Sequence, residues 1–314
     1  MEEIVISNDF FFVILCLEEG GFMILNISGR TDIVAFYTPW LMNRMNEGFV
    51  DVRNPFFPKK VSRIYFKDVD LIVFCTKNPF PILPFLKDIQ IPVVFQVTLT
   101  PYKKDIEPNV PDKKKVLETI LHISNIVGIE NVYVRYDPIL INDAYTIDYH
   151  CRAFEKLCSV LENSVKHVII SFVDIYKNVE RNKDVLQLKE ITREDFETIG
   201  KNFSAIGKKY GIAVQSCYEQ DKLEPYGILN IPCVSKELAF RLTGKKFSKW
   251  QARDCACVSM VDIGEYNTCS HFCKYCYANY NEKSIKQNIL KHDVHSSLLI
   301  GTLKESDEIK VRRK

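Results

Sequence analysis

The sequence predicts an α/β fold built on a parallel sheet. Three observations carry this. Six short, β-rich apolar runs recur along the chain, helical patterns sit between several of them, and each run exits into polar residues. Near-continuous apolar strands suit a parallel sheet covered on both faces. Strand and helix in alternation imply βαβ units with right-handed crossovers.

The runs are 24–28 (ILNIS), 70–75 (DLIVFC), 92–99 (PVVFQVTL), 131–136 (NVYVRY), 167–172 (HVIISF) and 212–217 (IAVQSC). Between the first and second, residues 49–66 break the rhythm and read as an inserted β-hairpin, VDVRNPF then VSRIYF. Between the third and fourth, Asp112 caps a helix with Val116, Ile120, Ile123 and Val127 on one face, and Gly128 stops it. Residues 146–161 place Ile147, Phe154, Leu157 and Leu161 on one stripe. Thr192 with Asp195 resembles a capping box ahead of Phe196, Ile199, Phe203 and Ile206, and Gly211 ends that helix. The strand exits carry Gly29, Arg30, Thr31 and Asp32; Thr76, Lys77 and Asn78; Thr98 and Thr100; Arg135 and Asp137; Ser171 and Asp174; Cys217 and Glu219. Carboxyl ends of parallel strands converge on one face, where α/β active sites are built. Arg30, Arg135 and Asp137 adjoin buried runs and need partners there.

Composition sets the bounds. The chain has 314 residues, 46% apolar, with 42 Lys+Arg against 40 Asp+Glu, a formal charge of +2. These values exclude a disordered or fibrous chain. They give no electrostatic case for wholesale binding to nucleic acid or membrane. The one N-terminal apolar run, Phe10 to Leu17, is eight residues, whereas a membrane span needs roughly 20. No basic start or small-residue cleavage site accompanies it, so the expected compartment is the cytoplasm, where thiols stay reduced. Residues 1–22 read as an N-terminal extension, 23–250 as the body, 251–280 as a Cys-rich strand and loop, and 281–314 as a helix and tail packing on the body. Lysine pairs and the triplet 113–115 read as solvated faces, and Asp105, Glu107 and Asp112 as loop charges.

Five of the eleven cysteines lie between 255 and 276. Cys269, Cys273 and Cys276 have the spacing C-x3-C-x2-C. Closely spaced thiolates fold around one soft metal centre at small loop-closure cost. Three ligands are one fewer than a closed structural site wants, and an iron–sulfur cluster on three cysteines keeps one iron open. Cys255 and Cys257 leave three readings open: added ligands, a separate chemical role, or packing. If 258–263 is a strand, Cys257 stands about 20 Å from the cluster face, too far to share it. Cys217 ends a strand and could face the cluster. Cys16, Cys75, Cys151, Cys158 and Cys233 sit in apolar contexts as small buried residues. His271 is a loop-surface residue or a hydrogen-bond partner of a sulfur. His292, Asp293 and His295 resemble a metal constellation on paper but belong to the tail that packs on the body.

With Tyr275 in the aromatic position, C-x3-C-x-aromatic-C resembles the motif of radical S-adenosylmethionine (SAM) enzymes, and YNTCSHFCKYCYAN is similar to the cluster loops of photoproduct-lyase-like members. From Met23 onward the chain also resembles a narrower bacterial and archaeal family, labelled a domain of unknown function with a radical-SAM-like C-terminal cysteine cluster. The resembling stretches are SGRTDIVAFY (28–37), VRNPF (52–56), CTKNP (75–79), QVTLTPY (96–102), RYDPI (135–139), 255–279 and HDVHSSLLIG (292–301). The superfamily resemblance implies that Cys269, Cys273 and Cys276 hold a [4Fe-4S] cluster whose open iron chelates SAM. It places Tyr275 near the adenine. It implies an electron donor such as flavodoxin or ferredoxin, and a small-molecule substrate it does not name.

The superfamily carries its cluster early, and here it comes late. The implied fold is therefore a partial or circularly permuted TIM-like (βα) barrel with a C-terminal Cys-rich iron–sulfur loop. The exit of the first strand then takes the place of the superfamily's acidic motif for the SAM amino group, with Asp32 as the candidate for that role and Arg30 beside it as a further cofactor-binding candidate. Arg135 and Asp137 are the candidates for ribose and carboxylate. Two other functions stand beside this one: a non-catalytic zinc or iron–sulfur module, and a nucleic-acid repair lyase. The charge of +2 and the lack of a basic, aromatic-laced patch in the sequence speak against the lyase.

Overall fold

The computed structural model of the chain describes residues 21–216, 219, 222–249 and 255–313. Cys16, Cys217 and nearly all of the predicted N-terminal extension lie outside the described residues. In chain order the elements are β1 (Ile24–Ile27), α1 (Ile33–Phe36), α2 (Thr38–Glu47), β2 (Phe49–Arg53), β3 (Lys60–Tyr65), β4 (Leu71–Thr76), β5 (Val93–Thr98), α3 (Lys113–Val127), β6 (Val132–Ile139), α4 (Ile147–Leu161), β7 (His167–Phe172), α5 (Lys177–Glu180), α6 (Lys183–Leu186), α7 (Arg193–Lys209), β8 (Ala213–Ser216), β9 (Leu229–Asn230), α8 (Lys236–Thr243), β10 (Val261–Asp262), α9 (Glu282–Ile289) and β11 (Glu308–Val311).

All six apolar runs form strands. They lie in one eight-stranded sheet in the order β10-β1-β4-β5-β6-β7-β8-β9, and every neighbouring pair is parallel. The capping chemistry holds as well. Asp112 accepts from Lys114 N and Lys115 N, Thr192 and Asp195 form a reciprocal capping box, and Gly128 closes α3. The predicted hairpin is β2 against β3, and β11 joins it in a separate three-stranded sheet.

Alternation along the strands sends side chains to two different cores. Leu25, Ile27, Ile72, Phe74, Phe95, Val97, Val134 and Ile170 pack under the helices with Trp40, Ile120, Phe154 and Phe203. The alternate residues, Ile24, Leu71, Val73, Val94, Tyr133 and Ile169, are covered by Cys233, Val234, Leu238, Ala239, Phe247, Cys257 and Val258. Of the partial or circularly permuted TIM-like barrel expected from the sequence, the structure shows the parallel α/β sheet, which among the described residues is open. Its edge strands, β9 and β10, are two residues each and do not pair. Residues 233–249, including α8, and 255–258 fill the second face, so that face gains its cover without ring closure. The strand expected over 258–264 shrinks to β10 for the same reason: Val258 is drawn into this core, donating from its backbone N to Val234 O. The tail packs on α2, where Trp40 Nε1 donates to Ser296 O (2.8 Å), and His292 lies ring-to-ring with Tyr37.

Candidate functional site

The carboxyl ends of the strands carry a polar layer on the face opposite the helices. On β6, Arg135 and Asp137 are two residues apart and so share a face. Arg135 Nε lies 3.1 Å from each Asp137 carboxylate oxygen, and its Nη1 donates to Gln96 Oε1 at 3.0 Å. Ser171 Oγ reaches Asp137 at 3.4 Å, and Cys75 Sγ lies 3.2 Å from Asn26 Oδ1. Asp262 ties β10 to the exit of β1, accepting from Ser28 Oγ, Gly29 N and Gly264 N, each at 2.7 Å. Glycine at 264 is required by close approach: a Cβ there would stand 1.9 Å from Ser28 Oγ. Arg30 Nη1 donates to Gly264 O (3.4 Å), and its guanidinium lies 5.5 Å from the Tyr266 ring centroid.

The cysteine loop lies over these strand ends and is tied to three of their exits. Tyr37 Oη donates to Thr268 O at 2.7 Å, Asn109 Nδ2 to Ser270 O at 2.8 Å, and Asn182 Nδ2 to Lys274 O at 2.6 Å. Lys274 N donates to Ile106 O, and Asn109 N to His271 O. Within this frame Asn267 and Phe272 hold left-handed backbone, φ 56° and 57°. For a residue as bulky as Phe this costs about 1–3 kcal/mol and persists only where surroundings enforce it. The thiols of Cys269, Cys273 and Cys276 are influenced electrostatically by one another. Burial pushes all three up, Cys273 to about 12. Backbone N–H groups oppose this: His271 donates to the Cys269 sulfur, and Ala278 and Asn279 donate to that of Cys276.

Two buried carboxylates lock the loop to the sheet. Asp32 caps α1 through Ala35 N (2.9 Å), accepts from Lys77 N (2.7 Å) and lies 2.9 Å from His271 Nε2. Glu107, 1% exposed, accepts from Thr100 Oγ1 (2.7 Å), Lys77 Nζ (2.9 Å), Lys113 Nζ and Tyr275 Oη. Burial alone would push the Glu107 carboxyl up, but Lys77 and Lys113 outweigh it and hold it at about 2.

Against this geometry, the comparison with protein families matches residues 24–278 to "Domain of unknown function (DUF1848)". The chain belongs to that family. The matched span contains the whole polar layer and all three loop cysteines, and it stops two residues past Cys276. No curated protein matches the chain.

In this DUF1848 chain the residues singled out in the sequence fall into separate groups. Cys269, Cys273, Cys276, Tyr275 and Asp32 come together at the loop; Arg135 and Asp137 pair beneath the strand exits; Arg30 lies beside Gly264 and Tyr266. Tyr275 is buried, edge-on to Tyr102 with ring centroids 5.8 Å apart. Cys255 and Cys257 are not brought to the loop. They lie with Cys233 in the second core, where the Cys257 thiol hydrogen-bonds to that of Cys233. Among the described residues, no three His, Cys, Asp or Glu side chains are already gathered around a single ion position.

Sequence reasoning missed the second carboxylate. Glu107 is no loop charge, Lys113 is no solvated face, and His271 is buried rather than on the loop surface. Glu107 and Tyr275 are 168 residues apart, so spacing carried no signal of their contact. No helix among the described residues is long and apolar enough to cross a membrane.

Proposed function

We propose that this DUF1848 chain is a radical SAM-type iron–sulfur enzyme acting on a small-molecule substrate in the cytoplasm. One observation carries the reading: the C-x3-C-x-Tyr-C loop is held over the carboxyl ends of parallel strands, with its three half-buried cysteines near enough to act on one another and with backbone N–H groups at two of the sulfurs. Soft donors from one short loop fit a thiolate-bound cluster, and hydrogen bonds to sulfur are among the features that tune such centres. Cys269, Cys273 and Cys276 would hold a [4Fe-4S] cluster. Bound there with one iron open to SAM, the cluster supplies one-electron cleavage of the sulfonium and, from it, hydrogen-atom abstraction.

The chain's own residues do the rest. Asp32 and Glu107 fix the loop through His271 and Tyr275. Arg135, Asp137, Gln96 and Ser171 form a preorganised polar floor that would orient a ligand's carboxylate and hydroxyls. Arg30 stands at the rim as a second cation. The order β10-β1-β4 supports the permuted-barrel reading, since the strand that leads into the loop is late in sequence yet lies beside the first strand. The closed-zinc alternative needs a fourth ligand; Cys255 and Cys257 pack elsewhere, and the loop histidine, His271, is held by Asp32 through Nε2. A flavodoxin- or ferredoxin-type protein is the fitting electron source.

The test is anaerobic purification with iron reconstitution, then EPR of the dithionite-reduced protein with and without SAM. A reduced-cluster signal that shifts on adding SAM is expected. Tightly bound zinc, or a spectrum indifferent to SAM, refutes the reading.

A further inference from the structure

Lys77 reaches both locks on the cysteine loop. It follows Thr76, the last residue of β4, so it leaves the sheet at the strand ends. Its backbone N donates to Asp32, the partner of His271. Its ammonium lies 2.9 Å from Glu107 Oε1 and 5.3 Å from the centroid of the Tyr275 ring. The side chain is only 14% exposed. Lys113 also pairs with Glu107, so two ammoniums share one carboxylate. Lys77 and Lys113 against Glu107 leave one surplus positive charge on this side of the loop, while Asp32 sets a negative charge beside Cys269 on the other. Glu107, Asp137 and Cys273 are the acidic groups that act on Lys77. Buried charge is costly unless compensated, and the groups on the loop side of Lys77 able to carry negative charge are the cysteine sulfurs.

Resting on the cluster reading above, we propose that Lys77 is a positioning residue whose fixed charge sets the reduction potential of a centre held by Cys269, Cys273 and Cys276. A cation beside a redox centre favours the more negative, reduced state and so raises the potential. The shared carboxylate Glu107 works in the opposite sense. The two residues should therefore move the potential in opposite directions when neutralised, which a merely structural role would not produce.

The experiment is an EPR-monitored redox titration of the anaerobically reconstituted full chain. In Lys77→Met, iron and sulfide content should stay near wild type while the midpoint falls. The expected fall is at least tenfold in the reduction equilibrium, about 59 mV for one electron. Lys77→Arg should restore the wild-type midpoint, and Glu107→Gln should raise it. An iron-loaded Lys77→Met with an unchanged midpoint overturns the proposal. If Lys77→Met takes up no iron, Glu107→Gln decides: a raised midpoint supports the proposal, and an unchanged or lowered one overturns it. A wild-type chain that binds no cluster fails the cluster reading itself, and the role of Lys77 falls with it.

Discussion

Neutralising Glu107 should expose how much the loop depends on one buried carboxylate. In Glu107→Gln the shape is retained and Thr100 and Tyr275 keep a partner, but Lys77 and Lys113 lose their shared anion. The carboxyl is held at about 2 against an ordinary 4.5, a gap worth about 3 kcal/mol at roughly 1.4 kcal/mol per pH unit. Leaving a buried charge without its partner costs about 3–5 kcal/mol in general, so the two routes agree. The sign fixes the pH window. A depressed carboxyl stabilises fully above its ordinary value and loses that contribution as pH falls toward its folded value. The gap between wild type and Glu107→Gln should thus be full at pH 7 and close between about pH 4.5 and 2. Urea unfolding followed by circular dichroism across that range reads it directly. Adding Lys113→Met to Glu107→Gln should recover part of the loss, because one unpaired ammonium is removed. A single variant within about 1 kcal/mol of wild type at pH 7, or a gap that stays constant down to pH 2, refutes the reasoning.

Three further outcomes are expected. Cys273→Ala should abolish the visible charge-transfer absorption of the reconstituted protein, and survival of that absorption would remove Cys273 from the ligand set. Gly264→Ala should destabilise by about 2–3 kcal/mol in urea unfolding, because its Cβ would collide with Ser28 Oγ. Gly29→Ala, whose Cβ meets Asp262 Oδ2 at 3.2 Å, should cost clearly less, and equal costs would contradict the close-approach argument. Asp32→Ala removes the α1 cap and the tie to His271 together. It should cost about 2–4 kcal/mol and speed hydrogen exchange over 268–276. Slow exchange there would show that the loop holds without it.

Much of this architecture was legible in the chain. Each apolar run became a strand because four to eight β-branched and aromatic residues in succession can be buried only with both faces covered. The helices of Asp112 and Thr192 were readable from their first residues, because a cap acts within one turn of itself, and that of 146–161 from its apolar stripe. Arg135 and Asp137 were legible as residues in need of partners, and the strand, which puts residues two apart on one face, gave them each other. The cysteine motif was readable for the same local reason, since its sulfurs lie within eight residues.

What the sequence determined by itself was therefore everything set by near neighbours: strands, caps, the hairpin, and a loop of closely spaced thiols. What only the tertiary structure decided was everything set by contact across the chain. It left the parallel sheet open among the described residues, with residues 233–249 and 255–258 covering the second face. It separated Cys257 from Cys269 although they are only twelve positions apart, by drawing one into a core beneath the strands and the other over their ends. It also joined Asp32 to His271 and Glu107 to Tyr275 across 239 and 168 residues. Charge pairs of that kind leave no periodicity in a sequence, because their energy depends on burial and distance, and both exist only once the chain has folded.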